Sequence, residues 1–268
     1  MLHSAVLTWL KVLGKSAKGY GIEGGTLSNC PYQRRWFKVA PLLVALILAS
    51  CGDSSKSTPA SIVGATETLA RASATLAETE SIRFRLMVDG STYIDTTEEI
   101  RLISASGELV RPDRVRAEFK IQLFAASTVS IQIITIGEKS WTTDLVSGKW
   151  GPAPSVFGYD PSILFDTRNG LGPVMGNVEE ARLIGVEEID GRSVVHIAAN
   201  VSQEIVGPVT AFTMTGEPVA LDFWIDQQTF ALMRIQLKEP ATVGKVDQAT
   251  WTLDIFDFNA PINIDAPN

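Results

Sequence analysis

The sequence predicts an α+β fold in which an antiparallel sheet carries its helices on one side. Two patterns predict it. Long segments after residue 81 alternate apolar and polar residues with a period of two, and they follow one another with few helical stretches between. One alanine-rich segment ahead of them has the 3.6-residue period of an amphipathic helix.

That helical segment, "SIVGATETLARASATLAETES", sets Ile62, Leu69, Ala72 and Leu76 at helical spacing and predicts a helix over about 60–80. The period then changes. Ile82, Phe84, Leu86 and Val88 alternate with Arg83, Arg85 and Met87, and Val115, Ala117, Phe119, Ile121 and Leu123 alternate with Arg116, Glu118, Lys120 and Gln122. Such alternation fits strands with one wet face. "STVSIQIITIG" repeats it with Ile131 and Ile133 in phase, and Ile134 and Ile136 add a second apolar element. The centre, from Ser147 to Asn177, is dense in glycine and proline, with short helical pieces expected at Pro161 to Phe165 and around Leu171 to Met175. Alternation returns in "ARLIGVEE" and "SVVHIAANV", and the intervening Asp190-Gly191 suits a type I′ hairpin turn. "PVALDFWID", "ALMRIQLK" and "ATWTLDIFDF" supply three more strands.

Upstream of the fold, "APLLVALILASCGD" at residues 40–53 is an apolar run that ends on a cysteine. A bilayer span needs about 20 apolar residues, and Val39 to Ser50 falls short. Arg34, Arg35 and Lys38 precede the run, and small residues Ala49 and Ser50 stand before Cys51, which together fit a secretory signal peptide over 34–50. Leu48-Ala49-Ser50-Cys51 also matches the bacterial lipobox, in which the thiol takes a diacylglycerol group and becomes the mature N-terminus. Residues 1–33 are long for an n-region and read as a start codon placed too early, or as an n-region extension. "RRWFK" resembles a twin-arginine export signal, with Gln33 where Ser or Thr is usual. Residues 51–60 form a Ser/Thr/Pro tether, and 61–268 the folded domain.

Division at Cys51 sharpens the charge balance. The segment before it holds six Lys/Arg and one Glu, whereas the remainder holds 17 Lys/Arg and 29 Asp/Glu. The exported part is acidic, which argues against nucleic acid as a partner and against a broad electrostatic grip on anionic lipid. Its only cysteine is Cys51, so no disulfide framework and no thiolate metal site is expected. His196 is its only histidine and lies within a strand, so no His-based metal site, Ser-His-Asp arrangement or cofactor is expected. The carboxylate pairs Glu98-Glu99, Glu179-Glu180 and Glu187-Glu188 are adjacent, point to opposite strand faces and read as solvated surface. No catalytic residue and no enzyme is expected.

What remains is an apolar strand face made of Phe84, Leu86, Phe119, Ile121, Leu123, Ile131, Ile133, Phe223 and Ile225. It serves either as a core packed under helices or as the lining of a pocket for acyl chains, and alternation demands the same residues for both.

The ordered set "ELVRPDRVRAEF", "IGEKSWTTDLVSGKWGPAP", "DPSILFDTRNGL", "LIGVEEIDGRSVVHIAANV" and "PVALDFWIDQQTFALMRIQL" resembles the LppX/LprA/LprF/LprG family of actinobacterial cell-envelope lipoproteins over most of residues 61–260. The resemblance implies a fold like the LolA/LolB carriers, a strongly curved antiparallel half-barrel closed by helices around a hydrophobic cavity. It further implies an anchored lipoprotein on the extracytoplasmic face of the cell membrane that binds acylated lipid or glycolipid and helps transfer it across the envelope, with an envelope transporter as a partner. The strand face above would then line the cavity, and the Pro161 to Met175 helices, with Leu164 and Phe165, would form its lid or mouth. An alternative on the same fold is an envelope sensor or protein-interaction module of the RseB type.

Overall fold

A computed structural model describes residues 64–93, 98–124, 127–153, 161–214, 216–241 and 247–267, which fall in a single contact unit. The leader, Cys51, the tether and Ile62 lie outside the described residues.

Helix α1 (Ala65–Glu78) buries Thr68, Leu69, Ala72 and Leu76, the stripe set by its periodicity. Eleven strands follow: β1 (Ser81–Asp89), β2 (Ile100–Val110), β3 (Arg114–Leu123), β4 (Ser127–Ile136), β5 (Lys139–Thr143), β6 (Trp150–Pro152), β7 (Glu179–Ile189), β8 (Arg192–Val201), β9 (Val219–Asp226), β10 (Leu232–Lys238) and β11 (Thr250–Phe256). They form one curved, unclosed sheet in the order β6-β5-β4-β3-β2-β1-β11-β10-β9-β8-β7, with every neighbouring pair antiparallel. A 3-10 turn (Pro161–Phe165) and helix α2 (Leu171–Gly176) fall where the sequence places them, and α2 packs on α1. Helix α3 (Gln203–Val206) and a second 3-10 turn (Pro208–Thr210) complete the helical layer. Asp190 and Gly191 both have positive φ, 49° and 73°, the backbone that a type I′ turn between β7 and β8 requires.

The sheet has two faces of opposite character. Pairing carries one apolar line across nine strands: Ile131, Phe119, Ala105, Leu86, Leu253, Ile235, Phe223, Ile197 and Leu183, each opposite the next. The helices cover most of this inner face; apart from the exposed Leu183, the line lies in or against the main core with Leu69, Ala72, Leu76, Val174 and Met175. At Gly107 of β2 the inner face leaves no room for a side chain, because a Cβ would meet Arg116 O at 2.4 Å and the Phe84 ring at 2.8 Å. Outward residues carry ion pairs, among them Arg83 with Glu108 and Asp257, and Arg116 with Glu108.

Arg111, in the β2–β3 turn, ties the helical layer to the sheet. Its Nε donates to Thr79 O at 2.7 Å, Nη2 to Leu76 O at 3.0 Å and Nη1 to Phe165 O at 3.2 Å, while its guanidinium lies 4.3 Å above the Phe165 ring. It therefore satisfies carbonyls at the end of α1 and of the first 3-10 turn together. Replacement by Met keeps much of the stacked area but strips all three donors. The expected loss is about 2–3 kcal/mol of unfolding free energy in urea titrations, larger than that for Arg85→Met, whose guanidinium makes only a 5.8 Å approach to the Phe256 ring among the contacts described.

Candidate functional site

Among the described residues the inner face carries the main apolar cluster, a small second one lies around Val194, Ala231 and Met233, and the burial of the inner face is uneven. Phe84, Leu86, Ile121, Ile133, Phe223 and Ile225 are buried, as are Leu164 and Phe165 in the 3-10 turn. Phe119, Leu123 and Ile131 are only half-buried, together with Ile100 and Val129 beside them. The register explains the grouping: Phe119 pairs with Ile131, Ile121 with Val129 and Ile100 with Leu123, so the half-buried side chains form one patch on β2, β3 and β4. Under α1 and α2, by contrast, the core is closed, with Phe223, Ile235 and Ile197 each fully inaccessible.

All nine strand residues named from the alternation thus share one face, and the structure divides them into a packed part and a partly open part. The sequence reading omitted Ile197, Ile235 and Leu253, which continue the row and were legible in the alternation of β8, β10 and β11. Ala105 gave no such signal, being small and flanked by serines.

The first 3-10 turn borders β3 and is held by short-range polar contacts. Asp166 Oδ1 accepts from Arg168 N at 2.9 Å and Asn169 N at 2.7 Å; those two amides hold its carboxyl below the usual range, against a smaller opposing effect of burial. Gly170 follows, where a Cβ would meet the Asp166 and Ile163 carbonyls at 2.5 Å.

The outer face holds the polar groups that could have suggested catalysis. His196 Nδ1 lies 2.7 Å from Glu187 Oε1 and Nε2 lies 2.9 Å from Asp222 Oδ1, with the ring stacked on Trp224 at 4.5 Å. Trp224 Nε1 donates to Glu187 Oε2 at 2.8 Å, and Lys238 Nζ to Asp222 Oδ2 at 2.9 Å. Both ring nitrogens face carboxylates, and no hydroxyl contacts either among the described residues, so the cluster offers no nucleophile–base pair. It is a cross-strand clasp over β7, β8, β9 and β10. Glu187, expected as solvated surface, is a member of that clasp. A shallow outer depression of about 190 Å³ beside β2 is lined by Arg85, Met87, Ser104, Ser106, Glu118 and Lys120, a charged lining unsuited to acyl chains.

Residues 64–264 match the family model described as LppX_LprAFG lipoprotein. The chain belongs to the LppX_LprAFG lipoprotein family. Within it, the chain is 25% identical to the lipoarabinomannan carrier protein LprG of Mycolicibacterium hassiacum over 235 residues, which covers 84% of this chain and 94% of LprG. Its fold is similar to that of LprF from Mycobacterium bovis, with a TM-score of 0.61 at 18% identity over 76% of this chain and 96% of LprF. It also resembles LppX of Mycobacterium tuberculosis, with a TM-score of 0.53 at 17% identity over 75% and 97% of the two chains.

Two outcomes follow from this geometry. Phe223→Ala, in the closed core, should cost about 3–5 kcal/mol, whereas Ile131→Ala, in the partly open patch, should cost about 1 kcal/mol or less, both read from urea unfolding. The clasp sets an acid limb. Hydrogen bonding from Trp224 depresses the Glu187 carboxyl; at Asp222 burial acts upward but is outweighed by bonds from Lys238 and His196. Groups depressed in the folded state add stability that is complete above about pH 5 and is lost as pH falls through the lowered values. The urea midpoint should therefore drop below about pH 4, and Asp222→Asn should flatten that drop.

Proposed function

We propose that the protein is a membrane-anchored, extracytoplasmic carrier that holds acylated lipid or glycolipid between the inner face of its sheet and its helices. The observation that carries this reading is the patch of Phe119, Leu123, Val129 and Ile131, large apolar side chains that continue the core yet are left half-covered. The name of LprG, a lipoarabinomannan carrier protein, supports a lipid-linked cargo. Each methylene moved from water into such a site gains about 0.8 kcal/mol, so two or three acyl tails supply enough to draw a lipid from a bilayer while its polar headgroup stays at the opening. Binding of this kind needs shape and apolar area and calls for no catalytic residue.

In this reading residues 34–50 direct export and Cys51 carries the diacylglycerol anchor. Two acyl chains give stable attachment where one would be marginal. The tether then lets the domain of residues 61–268 work close to its membrane.

Native mass spectrometry of the chain purified without detergent tests the carrier. Co-purifying lipid is expected, and Ile131→Glu should abolish it with the far-ultraviolet circular dichroism unchanged; repeated preparations free of lipid, or an Ile131→Glu variant that still carries it, would overturn the reading. In the same preparations Cys51→Ala should move the protein out of the membrane fraction or leave it unprocessed.

A further inference from the structure

Exposed large apolar side chains are concentrated at one end of the sheet. That end is where β1 reaches Asp89, β3 reaches Leu123 and β8 reaches Val201, as the pairing of Val201 with Val219, Lys238 with Thr250, Thr250 with Asp89 and Ile100 with Leu123 establishes. Four of the eight exposed large hydrophobics among the described residues sit in its connections: Phe124, 55% exposed, after β3; Leu145 and Val146, 40% and 89%, between β5 and β6; and Phe212, 59%, between β8 and β9. Because β5 runs antiparallel to β4, the β5–β6 turn points the same way as the β3–β4 turn. The opposite end turns on Gly137-Glu138, Asp190-Gly191 and Gln227-Gln228-Thr229, all exposed and none of them a large apolar residue.

Burial does not account for these residues, which stay exposed, and backbone geometry opposes two of them. Phe124 and Phe212 both have left-handed backbone, with φ of 50° and 55°. That region favours glycine and asparagine and disfavours bulky side chains. An exposed aromatic residue there is unfavourable twice over, and such outliers gather at functional positions. The display is also built. Asp144 Oδ1 accepts from Val146 N and Ser147 N at 3.1 and 2.7 Å, which fixes the turn that carries Val146 outward. The Phe212 ring rests against Gly207, where a Cβ would stand 2.5 Å from it.

We propose that Phe124, Leu145, Val146 and Phe212 form a rim that inserts into the interfacial layer of a lipid bilayer. The inference deepens the carrier reading and takes its anchor from it: Gly64 comes thirteen positions after Cys51, a reach of at most about 45 Å, so an anchored domain is confined to the zone where such a rim meets lipid. Aromatic side chains favour that layer. The same end exposes Asp89, Glu98, Asp144, Glu217 and Asp247 against Lys149 and Lys238, a net negative balance. Insertion is therefore apolar in origin and has no need of anionic lipid.

The test uses the acylated protein in phosphatidylcholine vesicles, with an environment-sensitive fluorophore on F124C, V146C, F212C or, at the opposite end, E138C. Emission at the first three positions should shift to the blue and be quenched by spin-labelled lipid, while that at 138 stays as in water, with no gain when a third of the lipid is phosphatidylglycerol. Equal, water-like emission at all four overturns the rim. Burial of the rim labels in the absence of vesicles assigns the surface to a protein contact and also overturns it. F124N/F212N should hold or raise the thermal midpoint while slowing lipid extraction about tenfold, equivalent to 1.4 kcal/mol. Quenching without any lipid uptake would leave the rim standing and remove the carrier; uptake without quenching would do the reverse.

Discussion

An unbroken apolar line across nine strands, one residue from each, is the constraint on which the rest of the domain depends. Strand side chains alternate, so a slip of one residue would send a strand's contribution to solvent. Three irregularities in register keep the line in phase. Leu102 and Ala105 of β2, Leu232 and Ile235 of β10, and Leu183 and Val186 of β7 all face inward although each pair is three residues apart, an odd spacing that a regular strand would split between faces. Each spacing spans a β-bulge, which absorbs the extra residue. The bulges are thus what lets an imperfectly alternating sequence build one continuous apolar surface.

That account also explains what could be read in advance. Strands β1, β3, β4, β8, β9 and β11 alternate and were legible, β10 was legible despite its bulge, and so were α1, the Pro161 to Phe165 turn, α2 and the Asp190-Gly191 hairpin. Strand β2 was not, because "IRLISASGELV" spends its inward positions on Ala105 and Gly107 and shifts phase after Leu102. Strands β5 and β6 are too short, at five and three residues, to show a period. For the site, alternation found the correct face but not its division into closed and partly open regions. Coverage depends on where α1, α2 and the 3-10 turn come to rest, and residues such as Arg111 that fix them act over more than thirty positions of sequence.

The two faces divide the work of the fold. Apolar area inside supplies cohesion and, in the proposed carrier, the surface for a guest, while charge outside secures the margin of the sheet. The clasp of Glu187, His196, Asp222 and Lys238 crosses four strands and fastens β7, which has a neighbour on one side only. An edge strand tied by polar bonds on its outer face can leave Leu183 and Val186 turned toward the concave side without losing its place.

Strands β6 and β7 end the sheet and share no ladder. In a closed barrel, strand number and shear together fix the bore, and no change of width is possible without breaking hydrogen bonds. An open arc has no such rule. Its curvature answers to side-chain packing and to the bulges, so the sheet can flatten or tighten slightly with every backbone pair intact. For the proposed carrier, that freedom would let a single sequence serve guests of unequal bulk.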